Sequence, residues 1–106
     1  MKAYYFLLGA ILFEVMGTMI LPLSKNFTKP LPSIALTISY LVAFYLLTYA
    51  IKDIPIAIAY ASWGGIGIFL ITLFGYIFYD QMLQWQSVFG LALIALGVAI
   101  VNIYKA

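Results

Sequence analysis

The chain has 106 residues, of which 67% are hydrophobic and only 8% are charged, and it contains neither cysteine nor histidine. So small a water-soluble domain could not bury this much apolar surface, which excludes an ordinary soluble fold. A net charge of +2 without a basic cluster argues against a nucleic-acid partner, and the lack of cysteine excludes disulfides, a thiol nucleophile and a thiolate metal site.

Apart from Glu14, the charged residues divide the chain into four uncharged intervals of 22, 22, 26 and 24 residues. The residues that bound these intervals are Lys2 and Lys25, Lys29 and Lys52, Asp53 and Asp80, and Asp80 and Lys105. A helix needs about 20 apolar residues to cross a bilayer, and four segments cannot close a barrel. We therefore predict an all-α membrane protein with four transmembrane helices, over approximately 3–22, 32–51, 55–79 and 86–104, in a single domain 1–106.

The first predicted span carries a carboxylate, Glu14, near its middle. Acidic residues at this depth are costly and usually face the interior of a bundle, where they mark an ion or proton path. Ala10, Gly17 and Thr18 lie on the same helical face and are small enough to leave a cavity beside the carboxylate. The alternatives are a structural glutamate and small residues that serve close helix packing.

Aromatic pairs at helical spacing follow in the second and third spans. Tyr40 and Phe44 are four residues apart, and Tyr60 and Trp63 are three apart. Their ring faces would attract a cation, which predicts a binding site for an apolar or aromatic cation. The alternative is an aromatic belt at the membrane surface, although Trp63 lies inside its span.

Glycines mark the last two spans. Gly64, Gly65 and Gly67 interrupt the third span, where they form either a hinge for alternating access or a tight packing surface. Gly90 and Gly97 are seven residues apart on one face of the fourth span, which is typical of a helix-pairing surface and predicts the oligomer contact.

The charges in the loops say little about the orientation in which the chain inserts into the membrane. Lys2, Lys52 and Lys105 share one side of the membrane, whereas Lys25 and Lys29 share the other. Three lysines against two indicate either a weak preference for both termini inside or insertion in both orientations, and charge alone favours neither. A dimer of oppositely inserted copies would supply the two inverted halves from which transporters are commonly built.

Taken together, these segments resemble the small multidrug resistance family of bacterial proton-coupled exporters over the whole chain. The resemblance lies in the stretch around Glu14 (10–18), in Pro32-Ser33, in Ile54-Pro55, in 59–67, which reads Ala-Tyr-Ala-Ser-Trp-Gly-Gly-Ile-Gly, and in 90–102. It implies an antiparallel dimer in the bacterial cytoplasmic membrane. Gly17 stands where guanidinium exporters of the family tend to carry tryptophan, so the chain looks like the quaternary-ammonium branch.

The resemblance also assigns roles to residues. It implies that Glu14 binds protons or cationic substrate, that Tyr60 and Trp63 line the site, and that Tyr40 and Phe44 flank it. It also implies that Gly90 and Gly97 hold the contact of the fourth span. Two positions depart from the family pattern: Pro22 stands where a lysine is usual and Ala43 where a serine is frequent. Pro22 should end or kink the first span, because it cannot donate a hydrogen bond to the Thr18 carbonyl.

These features predict a proton-coupled antiporter for lipophilic or aromatic cations of the quaternary-ammonium type. We expect no enzymatic activity and no cofactor or metal, and partners limited to the cation, protons, membrane lipid and a second copy of the chain. A heterodimer stays open, since some relatives pair two different chains. The rival interpretations are a guanidinium or polyamine exporter of a paired subtype, and a non-transporting membrane subunit in which Glu14 only pairs with a partner helix.

Overall fold

The computed structural model describes residues 2–104 as an all-helical chain, so Lys105, which enters the orientation argument, lies outside the described residues. Its helices are α1 (Lys2–Ile20), α2 (Pro30–Ala50), α3 (Ile56–Tyr79) and α4 (Trp85–Ile103). Each is long enough and apolar enough to cross a membrane. The helices begin and end within two residues of the predicted spans.

Contacts divide the chain into two compact units, one that holds α1 and α2 and one that holds α3 and α4. Whether the four spans form a single domain stays a prediction.

In the first unit, α1 and α2 form a closely packed hairpin. Small and medium apolar residues lie along one face of each helix and are buried, at spacings of three and four on α1 and of seven on α2. These residues are Ala3, Leu7, Ala10 and Ile11 on α1, and Leu36, Ala43 and Ala50 on α2. Small side chains allow two backbones to approach closely, which is how helices gain packing energy in lipid.

Pro22 ends the first helix, as predicted. The α-helical pattern stops at Ile20, and the chain continues as a short 3-10 helix, Leu21–Ser24, with the proline at its start. Ser24 is fully buried at the end of this segment. Its hydroxyl donates to the Leu21 carbonyl at 2.7 Å and accepts from the Phe27 amide at 3.2 Å, so it holds the turn that follows.

That turn contains three consecutive residues in the left-handed region, Lys25, Asn26 and Phe27, with φ of 51°, 61° and 67°. Left-handed backbone costs an L-residue about 1–2 kcal/mol, with asparagine the best tolerated of the three. Phe27→Gly should therefore stabilise the protein by about 1 kcal/mol, since the Phe27 side chain is 59% exposed and contributes little burial. The measurement is the free energy of unfolding in mixed detergent micelles.

Asn26→Gly is the matched control and should change stability much less, because asparagine already tolerates this conformation. A destabilising Phe27→Gly would show that the phenyl ring contributes more than the strain costs.

The second unit is a looser pair of helices. Gly65 lies in close contact with α4, because a Cβ at this glycine would collide with the Val98 side chain. Within the described residues, no residue of α4 is buried. Outside its contact with α3, this helix therefore exposes apolar side chains. In a membrane, those faces are available to lipid or to another protein chain.

Candidate functional site

The first unit brings Glu14 together with two hydroxyl groups. Glu14 is half-buried in α1, and Thr18, one turn later, donates from Oγ1 to Glu14 Oε1 at 3.1 Å. The same Thr18 oxygen lies 2.8 Å from the Tyr40 hydroxyl on α2. The carboxylate is thus one end of a hydrogen-bonded chain that crosses from one helix to the next.

The number of available hydroxyl protons sets the direction of these two hydrogen bonds when Glu14 is ionised. Thr18 has one hydroxyl proton, and it is used on the carboxylate. The Tyr40 hydroxyl must then donate to Thr18. A protonated Glu14 can instead donate to Thr18, so the direction of both hydrogen bonds can follow the protonation state of Glu14.

Gly17 provides the space that the Tyr40 ring occupies. A Cβ at this position would lie 3.1–3.3 Å from three carbon atoms of that ring, closer than side chains normally pack. The absence of a side chain at Gly17 therefore lets Tyr40 approach Thr18. Sequence reasoning placed Gly17, Thr18 and Tyr40 in one site, but it assigned Tyr40 a ring-face role and missed its hydroxyl.

The remaining predicted residues of the hairpin lie in different environments. Ala10 is fully buried, so it offers no open surface beside the carboxylate. Phe44 is 57% exposed on α2, one turn beyond Tyr40. A shallow cavity of about 500 Å³ lies at the Lys2 end of the hairpin, and none of the predicted site residues lines it.

The second unit carries the other predicted residues. Tyr60 is 79% exposed on α3, whereas Trp63 is half-buried. The helix runs unbroken through Gly64, Gly65 and Gly67, and Gly65 packs against α4. Packing is thus the observed role of Gly65, and a hinge at these three glycines stays a prediction.

The second unit also contains a hydrogen bond between α3 and α4 that the sequence did not predict. The Asn102 side-chain amide on α4 donates to the Ser62 hydroxyl on α3 at 2.8 Å and to the Val98 carbonyl at 2.9 Å. The available signal was an amide in the last turn of an uncharged helix. Its partner, 40 residues earlier, cannot be identified from sequence spacing.

The family model described as Small Multidrug Resistance protein matches residues 2–94. The chain belongs to the small multidrug resistance family. It is thus a multi-pass protein of the bacterial cytoplasmic membrane, consistent with its four apolar helices.

Similar members of the family cover nearly all of the chain. It is 43% identical over 103 residues to the multidrug transporter EmrE of Escherichia coli (strain K12), an alignment that covers 97% of this chain and 94% of that protein. It is 42% identical over 103 residues, with the same coverage, to the quaternary ammonium compound-resistance protein QacF of Klebsiella aerogenes. The multidrug resistance protein EbrB of Bacillus subtilis (strain 168) is 35% identical over 106 residues, which cover 100% of this chain and 91% of EbrB.

Proposed function

We propose that the chain is a proton-coupled antiporter that exports lipophilic or aromatic cations of the quaternary-ammonium type. The observation that carries the proposal is the half-buried carboxylate of Glu14 with its hydroxyl partners in an apolar helix. It is the only carboxylate within the four helices, because Asp53 and Asp80 lie outside them. Relatives named as a multidrug transporter and as a quaternary ammonium compound-resistance protein support the substrate class.

The chemistry of Glu14 couples the two ligands. The ionised carboxylate attracts a cation, and this attraction is stronger in a water-poor site than in bulk water. The protonated acid is neutral and holds the cation weakly. Proton and cation therefore exclude each other at one group, and each ligand lowers the affinity for the other by the same factor. A proton gradient directed inward then drives the cation outward.

Alternating access needs a second copy of the chain. Four helices enclose little volume, and transporters commonly place their site between two inverted halves. A dimer of oppositely inserted copies supplies those halves, and the nearly balanced loop lysines permit both orientations. The unburied helix α4, with Gly90 and Gly97 on one face, is the surface we assign to this contact.

Uptake into liposomes that contain this chain alone tests the proposal. With an acidic lumen, the liposomes should accumulate a quaternary ammonium cation from outside as protons leave, and an ionophore that collapses the gradient should stop the uptake. Selective uptake of guanidinium or polyamines would replace the proposed substrate class. No uptake of any cation, with correctly inserted protein, would favour a heterodimer or a non-transporting subunit.

Gly17→Ala should weaken cation binding by about tenfold, because the new methyl group pushes the Tyr40 ring away and breaks its bond to Thr18. Titration of the purified protein with a fluorescent cation measures the effect. Gly9→Ala is the matched control on the same helix, since its Cβ would meet only the flexible tip of Leu46, at 3.3 Å. Equal losses in both variants would mean that helix packing, and not the position of Tyr40, limits binding.

Trp63→Ala should weaken binding of quaternary cations by about tenfold or more, because a desolvated cation–π contact is worth about 2 kcal/mol. Trp63→Phe should retain part of the affinity. Trp85→Ala should have little effect, since Trp85 is the first residue of α4 and is 74% exposed. The measurement is the same titration, and similar losses at both tryptophans would indicate general destabilisation.

A further inference from the structure

The link between Asn102 and Ser62 is well defined by its chemistry. The Val98 carbonyl can only accept a hydrogen bond, so the Asn102 side-chain atom 2.9 Å from it must be the amide nitrogen. The same nitrogen has its second hydrogen available for the Ser62 hydroxyl, 2.8 Å away. Both N–H bonds of the amide are therefore used, which fixes its orientation.

This link lies beside the contact of Gly65 with Val98. Ser62 is 2% exposed and is one turn from Gly65, against which Val98 packs. On α4, Val98 and Asn102 are likewise one turn apart. The contact between α3 and α4 thus combines close packing of Val98 against Gly65 with a hydrogen bond from Asn102 to Ser62. The hydrogen bond adds a directional restraint on rotation of α3 about its own axis, because hydrogen bonds weaken steeply at unfavourable angles.

Rotation of α3 matters because of what neighbours Ser62. Trp63 follows it directly and is turned by about 100° around the helix axis, since an α-helix has about 3.6 residues per turn. Tyr60 lies two residues before Ser62, about 200° from it around the helix axis, and is 79% exposed. The hydrogen bond from Asn102 to Ser62 restricts the rotation of α3 about its axis. It therefore sets the directions in which the Trp63 and Tyr60 rings point.

We propose that Asn102 is a positioning residue: through its hydrogen bond to Ser62, it sets the positions of Trp63 and Tyr60. The amide on α4 fixes the rotation of α3, so that the two rings are presented in one direction before any ligand binds. The consequence for transport rests on the proposed function, in which these rings contact the cation. The positioning itself does not, and it can be measured in the ligand-free protein.

A Trp85→Phe background makes Trp63 the sole tryptophan, because the chain has two. In that background, Asn102→Leu and Ser62→Ala should each shift the emission maximum of Trp63 and change its quenching by acrylamide in the ligand-free protein. Ser87→Ala is the matched control: it makes the same change as Ser62→Ala at an exposed position on α4 and should leave the emission unchanged. Size-exclusion chromatography checks that each variant remains folded, and Ser62→Ala keeps the test available if Asn102→Leu does not fold.

Cation affinity supplies the second readout. Each single variant should lose about threefold to about twentyfold, which corresponds to the average and the largest contribution of interhelical hydrogen bonds in a membrane protein. The double variant should lose no more than the worse single variant, because each single variant already removes the bond between Asn102 and Ser62.

Unchanged Trp63 emission in both folded single variants would overturn the positioning role, whatever happens to transport. Losses that simply add in the double variant would overturn it as well. A shifted emission with unchanged cation affinity would support the positioning role and count against Trp63 as a ligand contact, which separates the two proposals.

Discussion

Glu14→Gln should abolish gradient-driven cation uptake in liposomes while the protein still inserts and folds. The amide has nearly the same shape and can still accept the hydrogen bond from Thr18, but it carries no charge and exchanges no proton. Two unit charges about 4 Å apart interact by about 4 kcal/mol near a protein surface, so cation affinity should fall by about a hundredfold or more. Uptake and equilibrium binding, measured on the same preparation, quantify both losses.

Two further variants sharpen this result. Asp53→Asn removes an exposed carboxylate between α2 and α3 and should leave uptake unchanged, which controls for the loss of one negative charge. Glu14→Asp should retain binding with a displaced pH profile, because the shorter side chain changes both its burial and its reach to Thr18. Gradient-driven uptake by Glu14→Gln at the parent rate would remove Glu14 from the mechanism.

Gly97→Leu should abolish transport by separating the two copies of the chain in the proposed dimer. A Cβ at Gly97 or at Gly90 meets nothing within 4 Å, so the first atom of an added side chain has room beside the protein's own chain. A loss of transport would then point to a surface that faces another molecule. If that surface pairs α4 helices, a leucine at its centre separates backbones that glycine brings together. Crosslinking in membranes and uptake in liposomes measure the two effects.

Ala99→Leu is the control on the same helix. Ala99 is exposed and lies about 200° around the helix axis from Gly97, so the added side chain points away from the proposed contact. It should leave crosslinking and uptake intact. Full crosslinking and uptake in a Gly90→Leu, Gly97→Leu double variant would show that this face contacts lipid.

The sequence was sufficient for the four helices, because the physical cause is local. Each interval between charged residues is about the length that a bilayer demands. Pro22 has no N–H for an α-helical hydrogen bond to the Thr18 carbonyl, which accounts for the end of the α-helix at Ile20. Glu14 was equally visible as a costly residue in an apolar run.

Partners across helices were not predictable from the same information. Thr18 and Tyr40 are 22 residues apart, and their contact depends on the register at which α1 and α2 pack. Ser62 and Asn102 are 40 apart and depend on the approach that Gly65 permits. A glycine in a helix fits either a hinge or a packing surface, and only the position of Val98 showed what Gly65 contacts.

The affinity of the purified protein for a quaternary ammonium cation, measured as a function of pH, tests most directly whether proton and cation compete for Glu14. Affinity should be highest where the carboxylate is ionised and should fall as the pH drops, since a proton and the cation exclude each other at this group. The same titration in Glu14→Gln should be weak and flat. A flat profile in the parent protein, or an unchanged slope in Glu14→Gln, would contradict the account.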